Sequence, residues 1–215
     1  MRNYFFVLVF SSFLFACLGS RQPKQKSSGW MPLFDGKSLN GWKVGNNATT
    51  FSVENGMIVA NGPVAHLFYE GDVQQHQFRN FEFKAEVMTT PGSNSGIYFH
   101  TEYQESGWPA KGYEVQVNNS HTDWRRTGSL YAIQDVREVY VKDNEWYTEK
   151  ITVQGKKVTI MINDKVVVDY TEPDNVQRPK DMSGRVLSSG TFALQGHDPK
   201  SKVYFKNIEV KPLPD

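Results

Sequence analysis

The sequence predicts an all-β protein, a sandwich of two packed antiparallel sheets, on three observations. From residue 30 onward no long stretch places apolar residues at i, i+3, i+4 and i+7, so no sustained amphipathic helix is expected. In its place come short runs that alternate apolar and polar residues, split by Gly, Asn and Asp. That is the pattern of half-buried strands joined by tight turns. Such strands run from near Phe51 to Val210 with no compositional break, linker or internal repeat. One sandwich is the economical reading; closed barrels and propellers are alternatives, but no blade-length period is present.

The elements follow in order. Residues 81–87 (FEFKAEV) alternate apolar with charged side chains, which gives one buried and one wet face. Residues 96–101 and 112–117 read as two further strands. Residues 150–153, 158–162 and 166–170 form a three-strand meander. Its gaps, QGK and NDK, hold Gly, Asn and Asp, which tolerate the positive φ of tight hairpins. Residues 191–195 and 203–210 complete the set.

Composition narrows the partners. The chain has 215 residues, 24 Lys+Arg against 23 Asp+Glu, and a formal net charge of +1. That balance speaks against nucleic acid, which needs clustered cations. With 39% hydrophobic and 22% charged residues the chain is globular, and large enough to build a core without disulfides. Aromatic residues reach 13%, which suits a neutral ligand, and carbohydrate is the candidate. The single Cys excludes an internal disulfide, a Cys-based zinc site and a CxxC redox motif. The five His are scattered, with no HxxxH or HxH spacing, so no zinc site and no cofactor is expected; an oxygen-ligated divalent cation such as Ca²⁺ stays open. There is no GxSxG elbow and no P-loop.

The amino terminus reads as an address. Residues 1–16 (MRNYFFVLVFSSFLFA) carry one positive flank, Arg2, and an apolar run too short to span a bilayer, the length of a signal-peptide core. The run ends in Leu14-Phe15-Ala16-Cys17, which resembles the bacterial lipobox, with Cys17 lipidated after cleavage. The alternative is an ordinary signal cut near Ala16 or Gly19. Residues 17–29 are then the lipidated Cys and a polar tether, and residues 30–215 a single domain. The expected location is the bacterial cell envelope, in the periplasm or on the outer-membrane surface, with the membrane touched through the lipid anchor only.

Polar residues gather on three strands. In GYEVQVN (112–118), Tyr113, Val115 and Val117 share one face and Glu114, Gln116 and Asn118 the other, a row without Lys or Arg. In NSGIYFH (94–100), Ile97 and Phe99 point inward while Gly96, Tyr98 and His100 point the other way. Gly96 permits close approach of a ligand or another backbone. In TFALQGHD (191–198), Gln195 shares a face with Thr191 and Ala193, and His197 and Asp198 sit at the strand's mouth. His66, His76 and His121 read as surface or packing residues.

These segments carry a resemblance. LFDGKSLNGW (33–42), NSGIYF (94–99), GYEVQ (112–116), TGSLY (127–131), LQGH (194–197) and VYFKNI (203–208) together resemble the 3-keto-disaccharide hydrolase domain family, in order, over about residues 30–212. The chain departs at His100, where the family often has Arg, and in the DPKSK segment (198–202). The resemblance implies a concanavalin-like jelly roll and secreted bacterial proteins acting on 3-keto sugars. The E-x-D-x-x-E pattern of laminarinase-type glycosidases on such folds is absent, which disfavours two-carboxylate hydrolysis at the Glu114 strand.

A 3-keto group acidifies the C2 proton, so a base can open elimination of the C1 leaving group, followed by hydration of the enone. Glu114 or His197 is the expected base and the other the acid; Asn94, Gln116 and Gln195 would position hydroxyls or the oxyanion, and Tyr98 and Tyr131 would stack or donate. His100 completes the substrate-binding set. The resulting expectation is a secreted hydrolase of 3-keto-glycosides, with an oligosaccharide or glycoside as partner. The alternatives are a non-catalytic, lectin-like carbohydrate-binding module and an accessory protein that only holds a polysaccharide or a partner.

Overall fold

The computed structural model describes Met1 and residues 29–215. The expected signal segment, the Cys17 lipidation site and the tether up to residue 28 lie outside the described residues. The strands are β1 (Met31–Pro32), β2 (Trp42–Val44), β3 (Phe51–Glu54), β4 (Met57–Ala60), β5 (Ala65–Tyr69), β6 (Phe81–Thr89), β7 (Ser95–Thr101), β8 (Tyr113–Val117), β9 (Tyr147–Gln154), β10 (Lys157–Ile162), β11 (Lys165–Thr171), β12 (Thr191–Gly196) and β13 (Val203–Pro212). No α-helix occurs among the described residues; three short 3₁₀ turns do.

The strands form two antiparallel sheets, the sandwich expected from the alternation and consistent with the concanavalin-like jelly roll that the resemblance implies. One sheet has eight strands in the order β11-β10-β9-β6-β13-β4-β3, with β1 added to β13; the other has five, β2-β5-β12-β7-β8. Period-two patterning sets the faces. In β6 every odd residue from Phe81 to Thr89 is buried and every even one half-exposed. The outer face pairs Lys84 with Glu209 at 2.7 Å and Lys150 with Glu82 at 2.7 Å. The meander β9-β10-β11 turns at Gly155 and Asn163, both at positive φ. Between the sheets lies an aromatic core: the ring of Phe192 on β12 sits 4.7–4.9 Å from those of Phe78, Phe81 and Phe83.

The five-stranded sheet departs from half-burial. Every residue of β7, β8 and β12 is buried. One face packs into the core through Ile97, Phe99, Val115, Val117, Phe192 and Leu194. The other face holds the polar row, roofed by loops that supply Trp108, Asp123, Tyr131 and Arg185. The segment 127–131 is bonded along β8 as an extra edge, with Gly128 N–H donating to Gln116 O and Tyr131 N–H to Glu114 O, both at 2.9 Å.

Candidate active site

The polar face forms the floor of a cavity of about 390 Å³, within the roughly 300–1,000 Å³ of small-ligand clefts. Its lining includes Asn94, Tyr98, Glu114, Gln116, Tyr131, Gln195 and His197, drawn from β7, β8, β12 and their flanking loops. The pleat brings Glu114 and Gln116 to one side, and the strand order β12-β7-β8 lays Gln195 and Tyr98 beside them. Gln195 Nε2, 81 residues away in sequence, donates to Glu114 Oε1 at 2.9 Å and to the Tyr98 hydroxyl at 3.1 Å. Gln116 Nε2 donates to Asn94 Oδ1 at 2.7 Å. The side-chain Oε1 atoms of Gln116 and Gln195 have no protein partner, which leaves them as acceptors for a ligand's hydroxyls.

Glu114 is 5% exposed. Burial pushes its carboxyl above the usual range, against the nearby Arg185 guanidinium and the hydrogen bonds of Tyr98 and Gln195, which pull it down. Arg185 Nη2 lies 3.6 Å from Glu114 Oε2. Gly96 gives Glu114 its room: a Cβ at residue 96 would fall 2.6 Å from Glu114 Oε1. The close approach that a strand glycine signals is thus made by a side chain of the neighbouring strand.

His197 lies across the cavity. Its Nδ1 sits 2.9 Å from Asp198 Oδ2, and its ring is 5.4 Å from that of His121 and 5.6 Å from the indole of Trp108. His121, His197 and Asp198 are the group among the described residues that could hold a metal ion. Asp198 already accepts from Lys200 N–H and Ser201 N–H at Oδ1, and from Ser201 Oγ at Oδ2 beside His197. His66, the partner of Gln195 on the adjacent strand β5, has its ring edge-on to Tyr98 and Trp108, and burial holds it down at about 4.

His100 does not belong to the cavity, a correction to the alternation of residues 94–100. Its φ of 56° marks a bulge, and β12 pairs Phe192 with Phe99 and Thr191 with Thr101, skipping His100. The extra residue turns the ring onto Phe81 and Phe99, 5.7 and 5.3 Å away. Ser188 N–H donates to its Nδ1 at 3.2 Å, so Nε2 carries the hydrogen and donates to Arg79 O at 2.9 Å. Burial lowers it to about 4, and it is a neutral packing residue.

The cavity also holds residues that sequence reasoning missed: Trp108, Asp123, Asp181, Met182 and Arg185. All come from loops or, for Asp181 and Met182, from a short 3₁₀ turn, where no period marks a face. Trp108, in the turn-like SGWPA run and 51% exposed, is the one with a sequence signal, a large aromatic where turn residues dominate. Arg185 and Arg125 both lie over the Tyr131 ring, and Arg125 also reaches Trp124, cation–π contacts that hold Tyr131 at the cavity.

A family model, the 3-keto-alpha-glucoside-1,2-lyase-like domain, matches residues 29–211. The chain belongs to this family. The match contains every residue that lines the cavity. The chain is 28% identical to a 3-keto-disaccharide hydrolase of Bacteroides thetaiotaomicron over 241 aligned positions, 91% of this chain and 82% of the relative. Among solved structures it resembles a glycosyl hydrolase candidate from Parabacteroides distasonis, at 24% identity and a TM-score of 0.73 over 88% of this chain and 96% of that one. It also resembles the carbohydrate-binding module CBM66 of Bacillus subtilis, at 15% identity and a TM-score of 0.55 over 80% and 95%. These two likenesses show the fold alone.

Proposed function

We propose that this member of the 3-keto-alpha-glucoside-1,2-lyase-like family cleaves the glycosidic bond of 3-keto-glycosides by elimination followed by hydration. The observation that carries the reading is one cavity lined by Glu114, His197 and the amides of Asn94, Gln116 and Gln195. The chemistry asks for a base at C2, an acid at the leaving oxygen and polar groups along the ring hydroxyls. Glu114 and His197 supply the two proton-transfer groups. Asn94, Gln116 and Gln195 hold hydroxyls, and the Arg185 guanidinium offers charge for a developing oxyanion. The name of the Bacteroides relative supports the same substrate class.

The second reading is a sugar-binding module without catalysis, favoured by the likeness to CBM66 and by the exposed Trp108 indole at the cavity. Incubation with 3-keto-trehalose and 3-keto-lactose beside the unoxidised sugars separates the two. Release of monosaccharide from the keto sugars alone is the expected result; binding of either sugar with no release would leave the module. The reading also places the mature protein on a lipid at Cys17, and Cys17→Ser is expected to move it from the membrane to the soluble fraction.

A further inference from the structure

The turn after β12 is built around a carboxylate that does not line the cavity. Asp198 Oδ1 accepts the backbone N–H groups of Lys200 and Ser201 at 2.8 and 3.2 Å, and Oδ2 accepts Ser201 Oγ at 2.7 Å. Ser201 Oγ in turn accepts the Asn94 N–H at 2.9 Å, which ties the turn to the start of β7. The remaining neighbour of Oδ2 is His197 Nδ1, at 2.9 Å. Three donors of the turn aim at this carboxylate and hold it as an acceptor, so the hydrogen between it and the ring sits on Nδ1. Nε2 is then the nitrogen left for the cavity, and in the neutral ring it carries a lone pair.

We propose that Asp198 is a positioning residue that fixes His197 in the Nδ1–H tautomer, making His197 the base at C2 and Glu114 the acid at the leaving oxygen. The inference rests on the 3-keto-glycoside reading. His197 Nε2 takes the C2 proton, and the C–H electron pair moves onto the C3 oxygen. The pair then returns to form the C1–C2 double bond, the C1–O bond breaks, and the leaving oxygen takes the Glu114 proton. No electrons enter or leave. The imidazolium that forms faces the Asp198 carboxylate, and the Glu114 carboxylate that forms faces Arg185 and Gln195. Hydration runs the same transfers in reverse, with water as the nucleophile at C1. His121 and His66 neighbour the His197 ring, and the other charged or titratable groups lining the same cavity are Glu114, Asp123, Asp181, Arg185, Tyr98 and Tyr131.

Asp198→Asn tests the proposal. Two backbone N–H groups hold the Oδ1 position, so the amide oxygen stays there and the NH₂ group faces His197. It donates to Nδ1 and drives the ring hydrogen to Nε2. The expected result is a folded protein, an almost unchanged KM for 3-keto-trehalose, and kcat lower by at least about 10²-fold. Ser201→Ala, which removes one donor and keeps the tautomer, should lose no more than about tenfold. Nitrogen-15 NMR of the histidines reads the tautomer in the wild-type protein without substrate and keeps the test valid if the variant fails to fold. Nδ1–H in the wild type and Nε2–H in Asp198→Asn support the proposal. Nε2–H in the wild type, or near-normal kcat in a folded Asp198→Asn protein, overturns it. So does loss of activity on chelation with recovery on adding Mn²⁺ or Zn²⁺ that Asp198→Asn cannot bind, because Asp198 is then a ligand. A wild-type protein that releases nothing from any 3-keto sugar removes the substrate reading and the base role with it, while the NMR result still decides the tautomer.

Discussion

Glu114 is the residue on which the site turns. It is buried, faces Arg185 at 3.6 Å and accepts from Gln195 at 2.9 Å. Glu114→Gln keeps the side chain's size and leaves an oxygen for the Gln195 bond while removing the proton that is transferred. The variant is expected to fold with unchanged or slightly raised stability, because the charged form is the one that burial disfavours. It should bind a 3-keto sugar and lose at least about 10²-fold in turnover. Comparable turnover in a well-folded variant would take Glu114 out of the chemistry. Glu114 and Gln116 were legible because they are two apart on a strand whose other face is plainly apolar. His100 was misread by the same rule, since alternation holds only while the backbone stays extended, and a positive φ at one residue cancels it. Nothing in a sequence period points to Arg185.

At the scale of elements, the segment between β11 and β12 decides whether that arginine reaches Glu114. Two contacts, one buried at Glu172 and one half-buried at Arg178, buckle it to the sandwich. Glu172 accepts the Leu187 N–H at 3.1 and 2.9 Å and the Tyr113 hydroxyl. Arg178 donates from Nη2 to the hydroxyls of Tyr113 and Tyr170 at 3.0 and 2.8 Å, and from Nε to the Arg185 carbonyl at 2.9 Å. Arg178 therefore holds the backbone of Arg185 without touching the cavity. Arg178→Ala is expected to lower kcat/KM by about 10²-fold through misplacement of Arg185, with a Tm shift of only a few degrees. An unchanged kcat/KM would mean that the segment is held by Glu172 alone. The strands themselves were readable in order because each carries its own alternation; the buckle was not, because its partners lie 59 and 65 residues apart and meet only after the sheets have packed.

For the whole molecule, stability follows pH through four buried groups. Burial holds His66 and His100 at about 4, below their ordinary 6.5, and pushes Glu114 and Glu149 up from 4.5. Between about 4 and 6.5 the unfolded chain binds more protons at the two histidines, so they make stability rise with pH. Above 4.5 the folded chain binds more protons at the two carboxyls, so they make it fall. Each group contributes at most about 1.4 kcal/mol per pH unit. The two tendencies oppose each other where they overlap, and above 6.5 the histidines no longer contribute. Glu149 isolates the effect, since it lies in the core on β9, away from the cavity, and neither of its oxygens has a partner. Glu149→Gln removes an ionisation that favours only the unfolded chain. Urea unfolding should show no gain at about pH 4 and a gain that grows by about 1.4 kcal/mol per pH unit above the ordinary carboxyl range. An equal gain at about pH 4 and about pH 7.5 would show that the change acts through packing, and that the carboxyl is not held neutral in the folded core.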